Sequence, residues 1–279
     1  MIKGEKYAAI IGFNPSKGAR SPKLWNKAYE KLNQKTRMVC IDINDKSKVS
    51  AKIKDLEKDP NFIGGCIAFP YKETIFHCLG NHKIEPKSRP IEAINCLYRS
   101  EDNYLMGTNT DGSAALSSFL NMIHEEKTPK SILIAGLGGA GKAVASFFSS
   151  HCISKGIKLY CVSRQNHEEF ANRIKANWIP WNNLENSLKE VEAFVNCTLI
   201  GTGELINSSP IDITQNNLNL KFIYDIVYDP PATPLINYAK SKDILFKNGL
   251  EMNLLQAVKA FKLVNNLKTN EAEITKLMS

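Results

Sequence analysis

Short runs of apolar residues alternate along the chain with segments in which apolar residues recur every three or four positions. Runs of this kind are typical of buried strands, and the second spacing places apolar residues on one face of a helix. The alternation predicts an α/β fold with mostly parallel sheets. The predicted strands are Tyr7–Phe13, Met38–Ile43, Ile63–Phe69, Cys96–Arg99, Tyr104–Met106, a run that begins at Ile132, Leu159–Ser163, Ala193–Thr198, Phe222–Val227 and Ile244–Lys247.

The segments between these strands carry helix signals. Ser21 followed by Pro22 predicts an N-cap and a first helical residue, because proline is tolerated in the first turn. Cys96–Arg99 and Tyr104–Met106 flank a polar turn, which indicates a hairpin. Alternating strands and helices on both sides of the middle of the chain predict two α/β domains. The principal predicted helices are the one after Ser21-Pro22, Val49–Leu56, Tyr71–Leu79, Ser113 to about His124, Ala140–Phe148 and Glu251–Val264.

A glycine-rich turn follows the sixth predicted strand and precedes an apolar helix. Gly136, Gly138 and Gly141 have the spacing of a dinucleotide-binding turn, in which main chain and helix N–H groups contact a phosphate. Gly136, Gly141 and Lys142 also have the spacing of a nucleoside triphosphate loop, but the next residue, Ala143, lacks the hydroxyl that would hold Mg²⁺. A turn whose glycines serve packing alone is a further alternative. From these residues alone, the dinucleotide-binding turn and the packing turn are equally supported, and the nucleoside triphosphate loop ranks well behind both.

Composition and charge narrow the choice of partners. The net charge of +8 and the pI near 9.0 favour anionic ligands such as carboxylates and phosphates. No stretch joins dense basic residues to aromatic ones, so we expect no nucleic-acid partner. The seven cysteines form no C-x-x-C pair and the five histidines show no ligand spacing, so we expect reduced thiols and no metal. Without a signal-peptide pattern or a bilayer-length apolar run, we expect a cytoplasmic protein that does not contact membranes.

Polar residues follow several predicted strands, at the edge where open α/β sheets bind ligands. Lys72 comes directly after the third strand, and Asp111 lies in a polar loop between a strand and a helix. Taken alone, Lys72 fits a solvated first helical turn and Asp111 fits an N-cap. Arg164 ends the strand after the glycine-rich turn, where an arginine suits the 2′-phosphate of NADP and an acidic residue suits NAD. We therefore expect NADP as cofactor, with NAD as the second candidate; an ordinary surface arginine at this position is the alternative interpretation.

Taken together, these motifs resemble the shikimate dehydrogenase family nearly from end to end. The resemblance implies a substrate-binding domain, residues 1–110 completed by 250–279, and an NADP-binding Rossmann domain, residues 111–249. It also implies an NADP-dependent oxidoreductase of the chorismate pathway of aromatic amino acid biosynthesis, acting on a small-molecule substrate as a monomer or homodimer. The motifs that carry it are Ser21-Pro22, Pro70-Tyr71-Lys72-Glu73, Ala93-Ile94-Asn95, Asn109-Thr110-Asp111-Gly112, the Gly136–Gly141 turn, Asn196-Cys197-Thr198, Tyr224–Pro230, Asn248-Gly249 and Gln256-Ala257.

The resemblance implies roles for particular residues. A lysine–aspartate pair flanks the oxidised carbon in this family, and its positions match Lys72 and Asp111. Oxidation of a secondary alcohol releases the hydroxyl proton to a positioned base, and the reverse reaction needs an acid. The implied substrate-binding residues are Ser21, Asn95, Tyr228 and Gln256. The implied cofactor-binding residues are Gly136, Gly138, Gly139, Ala140, Ser163, Arg164, Thr198 and Gly249.

Four positions depart from the family pattern where the substrate would bind, and this altered pocket resembles the shikimate-dehydrogenase-like branches of the family more than the biosynthetic enzyme. Ala19 stands for the first serine of Ser-x-Ser-Pro, Cys66 and Ala68 replace the outer residues of Asn-Val-Thr, and Cys96 replaces the threonine of Asn-Thr. Each lost contact to a buried polar group would cost about 1–3 kcal/mol. We expect the reaction type to persist, with shikimate or a related cyclic hydroxy acid such as quinate as substrate. A nucleotide-binding protein with little dehydrogenase activity, such as a sensor, is the alternative.

Overall fold

The computed structural model describes residues 5–123, 128–214 and 218–279 of the chain. The chain divides into two compact units, one formed by Met1–Thr110 with Leu254–Ser279 and the other by Asp111–Asn253. Each unit contains one sheet with helices, so the predicted α/β fold class is confirmed. The predicted end of a helix near His124 lies outside the described residues.

The first unit holds a five-stranded sheet in the order β2-β1-β3-β4-β5. Strand β1 pairs in parallel with β2 and β3, whereas β4 is antiparallel to both of its neighbours. The predicted hairpin is therefore confirmed as the β4–β5 pair. Its strands are β1 Tyr7–Gly12, β2 Arg37–Asp42, β3 Phe62–Ile67, β4 Cys96–Arg99 and β5 Leu105–Thr108, and its first three helices are α1 Ser21–Lys31, α2 Val49–Lys58 and α3 Lys72–Leu79.

The two faces of this sheet are covered by different helices. Along β1, Ala9 and Ile11 join the buried cluster formed with α2 and α3. Ala8 and Ile10 join the opposite cluster, which contains α1 and two helices from the end of the chain. This alternation follows from the two-residue period of a strand. The last two helices are α9 Leu250–Val264, which leads from the second unit back into the first, and α10 Glu271–Met278.

The second unit holds an all-parallel six-stranded sheet in the order β11-β10-β9-β6-β7-β8. This is the doubly wound order of a Rossmann fold, in which the strand order reverses between β6 and β9. Its strands are β6 Ser131–Ala135, β7 Lys158–Ser163, β8 Asn177–Pro180, β9 Ala193–Asn196, β10 Phe222–Asp225 and β11 Leu245–Lys247. Its helices are α4 Asp111–Ile123, α5 Gly139–Lys155, α6 Glu168–Arg173, α7 Leu184–Leu188 and α8 Pro234–Ser241.

Several element boundaries differ from the sequence prediction, and three of the differences have a local explanation. Ser21 is the first helical residue and not the N-cap, because Arg20 already has helical dihedral angles (φ −78, ψ −27). Strand β8 was not predicted, since its four residues are exposed or half-buried and form no apolar run. Helix α10 was not predicted either, although Asn270 caps it by accepting a hydrogen bond from the Glu273 N–H at 2.9 Å.

Candidate active site

Lys72 is positioned by the turn between β3 and α3, at the carboxyl end of the parallel strands. It is the first residue of α3 and is half-buried. Its backbone oxygen accepts a hydrogen bond from the Ile94 N–H at 3.1 Å. The preceding Tyr71 is buried, and its hydroxyl donates to the Ile43 carbonyl at 2.6 Å. These contacts fix the backbone of the turn and tie Lys72 to the segment that contains Asn95.

Asn95 is the centre of a buried group of hydrogen-bonded side chains. Its Nδ2 donates to Thr110 Oγ1 at 2.9 Å and to Gln256 Oε1 at 3.3 Å, and its Oδ1 accepts the Thr110 N–H at 2.7 Å. The structure therefore brings together two of the predicted substrate-binding residues, Asn95 and Gln256. Thr110 was not predicted as a site residue, although its place in a polar loop between two glycines was a usable signal.

The other predicted residues for substrate chemistry occupy defined positions in their own units. Asp111 directly follows Thr110 in the chain, is 4% exposed and begins α4. Ser21 is buried at the start of α1. Tyr228 is half-buried in the loop after β10 of the second unit. The convergence of Lys72 and Asp111 on one substrate stays a prediction.

The glycine-rich turn joins β6 to α5 at the point where the strand order reverses. Gly136 has φ +94, a conformation that favours glycine. A Cβ on Gly141 would lie 1.9 Å from the Gly136 carbonyl oxygen, so this position has no room for a side chain. A Cβ on Gly138 would meet no atom within 4 Å, and Gly138 is exposed at the N-cap of α5. The space beside Gly138 and the first N–H groups of α5 suit a phosphate.

The loop after β7 contains Ser163 and Arg164. Ser163 Oγ accepts a hydrogen bond from Trp178 Nε1 at 2.9 Å and donates to the Gln165 carbonyl at 2.7 Å, and it lies 3.1 Å from His167 Nδ1. The Ser163 hydroxyl thus holds the shape of the loop. Arg164 is exposed at its tip, so its guanidinium can reach a ligand in solvent.

The loop after β9 places Thr198 beside the glycine-rich turn. A Cβ on Gly136 would lie 2.9 Å from Thr198 Cγ2, so the two residues are neighbours. The Thr198 hydroxyl donates to Asn196 Oδ1 at 2.7 Å and accepts the Ile200 N–H at 3.0 Å. Gly249 follows β11 and is buried. A Cβ on Gly249 would lie 1.9 Å from the Ile226 carbonyl oxygen, so this position has no room for a side chain.

A buried carboxylate holds the ends of β9 and β10 together. Asp225 accepts hydrogen bonds from Asn196 Nδ2 at 3.0 Å, from the Val227 N–H at 3.1 Å and from Thr233 Oγ1 at 2.6 Å. Burial raises the pKa of Asp225 to about 6, and these three hydrogen bonds oppose the shift. Thr233 also caps α8 by accepting the Ile236 N–H. No sequence motif assigns a role to Asp225, which supports the edge of the sheet where the nucleotide would bind.

The four positions that depart from the family pattern belong to one apolar cluster. Cys66 and Cys96 are buried in it, and Ala19 and Ala68 are partly buried against it. A Cβ on Gly12 would lie 2.8 Å from Ala68 Cβ, which leaves little space on that side. This part of the first unit therefore offers packing surface where hydroxyl and amide groups are usual in the family.

The described residues were also compared with the requirements of a metal site and of a membrane-spanning helix. Within residues 5–123, 128–214 and 218–279, no three or more His, Cys, Asp or Glu side chains are grouped so that they could hold a metal ion. In the same part of the chain, no helix is both long and apolar enough to cross a membrane.

The fold and these residues define a two-domain α/β protein with a dinucleotide-type turn, and comparisons with known proteins give the family. A family model described as the shikimate dehydrogenase substrate binding domain matches residues 10–97. A shikimate dehydrogenase (NADP(+)) of Dictyoglomus thermophilum is 31% identical over 263 residues, which cover 90% of this chain and 89% of the relative. The chain belongs to the shikimate dehydrogenase family.

Two solved structures are similar over nearly the whole chain. Shikimate dehydrogenase 1 of Peptoclostridium difficile is 27% identical with a TM-score of 0.77, and the match covers 98% of this chain and 96% of that one. A quinate dehydrogenase of Corynebacterium glutamicum, solved with NAD, has a TM-score of 0.82 over 98% of each chain. At 19% identity the second likeness shows the fold alone. The predictions of the family and of an NADP-dependent oxidoreductase that acts on a CH–OH group are confirmed.

Proposed function

We propose that this protein is an NADP-dependent dehydrogenase that interconverts 3-dehydroshikimate and shikimate, or a closely related cyclic hydroxy acid such as quinate. The observation that carries the proposal is the buried Asn95–Thr110–Gln256 group, which lies beside the backbone of Lys72 in a chain of the shikimate dehydrogenase family. Amide and hydroxyl side chains of this kind suit a ligand with several hydroxyl groups. In this proposal Met1–Thr110 with Leu254–Ser279 binds the substrate and Asp111–Asn253 binds the nucleotide.

Lys72 and Asp111 are the proposed catalytic pair. Bound NADP supplies a hydride acceptor, and the chain supplies the groups that manage the substrate hydroxyl. Lys72 takes the hydroxyl proton when the alcohol is oxidised and returns it when the ketone is reduced, while Asp111 orients the hydroxyl and the ammonium group. Ser21, Asn95, Tyr228 and Gln256 are the proposed contacts to the rest of the substrate.

The shape of the second unit supports the proposed binding of NADP. The open space at Gly138 and the N-terminus of α5 fit the pyrophosphate, and the exposed Arg164 fits the 2′-phosphate of NADP. The residues proposed to hold the cofactor are Gly136, Gly138, Gly139, Ala140, Ser163, Arg164, Thr198 and Gly249.

A panel assay tests the proposed function. NADP reduction is measured with shikimate, quinate and amino-substituted analogues, and nucleotide binding is measured separately by calorimetry. We expect turnover with at least one cyclic hydroxy acid. If NADP binds and no member of the panel is oxidised, the chain is a nucleotide-binding protein and the proposed activity is wrong.

Variants at two of the four altered positions, Ala19 and Ala68, provide a second test, which concerns the choice of substrate. If lost hydrogen bonds limit the use of shikimate, Ala19→Ser combined with Ala68→Thr should raise kcat/KM for shikimate by about tenfold, because about 1.4 kcal/mol is a factor of ten. Thermal unfolding of the variant serves as the control for folding. A folded variant with unchanged kcat/KM would mean that the shape of this region, and not its polarity, decides the substrate.

A further inference from the structure

Two buried cysteines face each other across β3 and β4. The register of this antiparallel pair places Cys66 opposite Cys96. The Ile67 N–H donates to the Asn95 carbonyl at 2.8 Å, so Ile67 and Asn95 are a hydrogen-bonded pair. Hydrogen-bonded and non-hydrogen-bonded pairs alternate along an antiparallel ladder, so the next pair, Cys66 and Cys96, is a non-hydrogen-bonded one. In such pairs the Cα atoms are about 4.5 Å apart, within the range of about 4.4–6.8 Å that a disulfide requires. The register therefore places the two cysteines at a Cα separation that a disulfide can span.

The side chains also lie on the same face of the sheet. Both belong to the cluster under α1 and α9, where Cys66 is 4% exposed and Cys96 is 0% exposed. Cys40 belongs to the same face, but Ile10 of β1 lies between it and Cys66 in the register. Two strand spacings amount to about 9.5 Å, which exceeds the limit of about 7 Å for a disulfide. Cys66 and Cys96 are thus geometrically matched, whereas Cys40 is not a partner for Cys66.

We propose that Cys66 and Cys96 form a dithiol that closes to an intrachain disulfide when the protein meets a small oxidant such as hydrogen peroxide. The thiolate of Cys66, the more exposed of the two, attacks one peroxide oxygen, the O–O bond breaks, hydroxide leaves and a sulfenic acid forms. The Cys96 thiol then attacks that sulfur, the S–O bond breaks and water leaves. The two thiols lose two electrons, and the peroxide is reduced to two waters.

The bond would close a loop that contains Lys72 and Asn95, because Lys72 follows β3 and Asn95 precedes β4. The proposal rests on the register and burial of the first unit and not on the proposed dehydrogenase activity. An inactive protein could still form the bond, and an active one could fail to form it, so the two proposals are tested separately.

Peptide mapping of the full-length protein tests the proposed bond. The reduced protein is treated with stoichiometric hydrogen peroxide, unfolded at low pH, alkylated at its remaining thiols and digested with trypsin without reduction. We expect peptide 59–72, which contains Cys66, to be linked to peptide 88–99, which contains Cys96. The linked mass should be about 2 Da below the sum of the two peptides, and dithiothreitol should separate them.

Variants and stability supply the controls. Cys40→Ser should leave the linked peptide intact, whereas Cys66→Ala should abolish it. The oxidised wild type should also unfold at a higher urea concentration than the reduced wild type, because a closed loop restricts the unfolded chain. The proposal is overturned if Cys66 and Cys96 of the wild type are recovered separately, alkylated or as sulfinic acids, after peroxide has oxidised Cys40. It is equally overturned if Cys66 is found linked to Cys40. Both outcomes are read on the wild type and do not depend on the folding of a variant.

Discussion

Two glycines of the β6–α5 turn should respond in opposite ways to the same substitution. Gly141→Ala places a methyl group 1.9 Å from the Gly136 carbonyl oxygen, a backbone atom that cannot move without deforming the turn. Gly138→Ala places a methyl group where no protein atom lies within 4 Å, and its backbone angles (φ −76, ψ −176) suit alanine. The first substitution tests the fold of the turn, and the second tests whether a ligand occupies the space beside it.

The expected magnitudes follow from these surroundings. Gly141→Ala should destabilise the fold by about 1–3 kcal/mol or more, the typical cost of overpacking a site that cannot relax. Gly138→Ala should change stability by less than about 1 kcal/mol, since the loss of a favourable N-cap residue offsets the smaller entropy of the unfolded chain. It should nevertheless weaken NADP binding by about tenfold or more, because the backbone of this turn must approach a phosphate closely.

Urea unfolding of the protein without nucleotide and calorimetric titration with NADP provide the two readouts. Gly18→Ala is the matched control, because a Cβ at Gly18 also meets nothing within 4 Å and this glycine lies in the first unit. We expect both unfolding and NADP affinity to stay near those of the wild type in this control. Unchanged NADP affinity in Gly138→Ala would refute the assignment of the turn to the pyrophosphate, and unchanged stability in Gly141→Ala would refute the packing argument.

Three further changes test other parts of the structure. Arg164→Ala should weaken NADP binding by about 10–100-fold and leave NAD binding nearly unchanged, since a charge-assisted phosphate contact contributes about 1.5–3 kcal/mol; calorimetry with both nucleotides checks it. Burial raises the pKa of Asp225 from 3.8 to about 6. Proton binding by Asp225 therefore adds about 3 kcal/mol to the free energy of unfolding below about pH 4. This contribution is lost as the pH rises through about 6. Urea unfolding at several pH values should show that Asp225→Asn gains stability relative to the wild type over this window; parallel pH profiles would contradict the assignment. Arg99 donates to five backbone carbonyl oxygens at 2.9–3.1 Å. Arg99→Met should cost about 2–4 kcal/mol in urea unfolding, whereas Arg37→Met, which removes an exposed ion pair with Glu30, should cost less than about 1 kcal/mol.

Local patterns in the sequence predicted the strands, the principal helices and the glycine-rich turn. Periodicity and glycine spacing depend on neighbouring residues, so they can be recognised before the chain is folded. The position of Gly136 at positive φ and the crowding at Gly141 agree with that pattern. Strand β8 escaped prediction because it is short and carries no apolar run.

The hydrogen-bonded groups could not be predicted in the same way. Asn95 and Thr110 are 15 positions apart, and Asn95 and Gln256 are 161 positions apart, so only the folded chain shows that they meet. The same holds for Asp225, whose raised pKa depends on burial among strands. The sequence also gives no sign that Cys66 and Cys96 are opposite each other, because that pairing depends on strand register.

Lys72 is the residue proposed to carry the proton in an NADP-dependent oxidation, and one measurement tests this role most directly. Steady-state NADPH formation is followed with the substrate that the panel identifies, for the wild type, Lys72→Ala and the control Lys87→Ala, whose side chain is 66% exposed. NADP affinity is titrated for each protein. We expect Lys72→Ala to lower kcat by about 10²–10⁴-fold, the range for general acid–base groups, with NADP affinity and the control variant near wild type. Asp111→Asn should have a loss in the same range, and the double variant little more than the worse single variant. Near-normal turnover in Lys72→Ala would contradict the proposed mechanism.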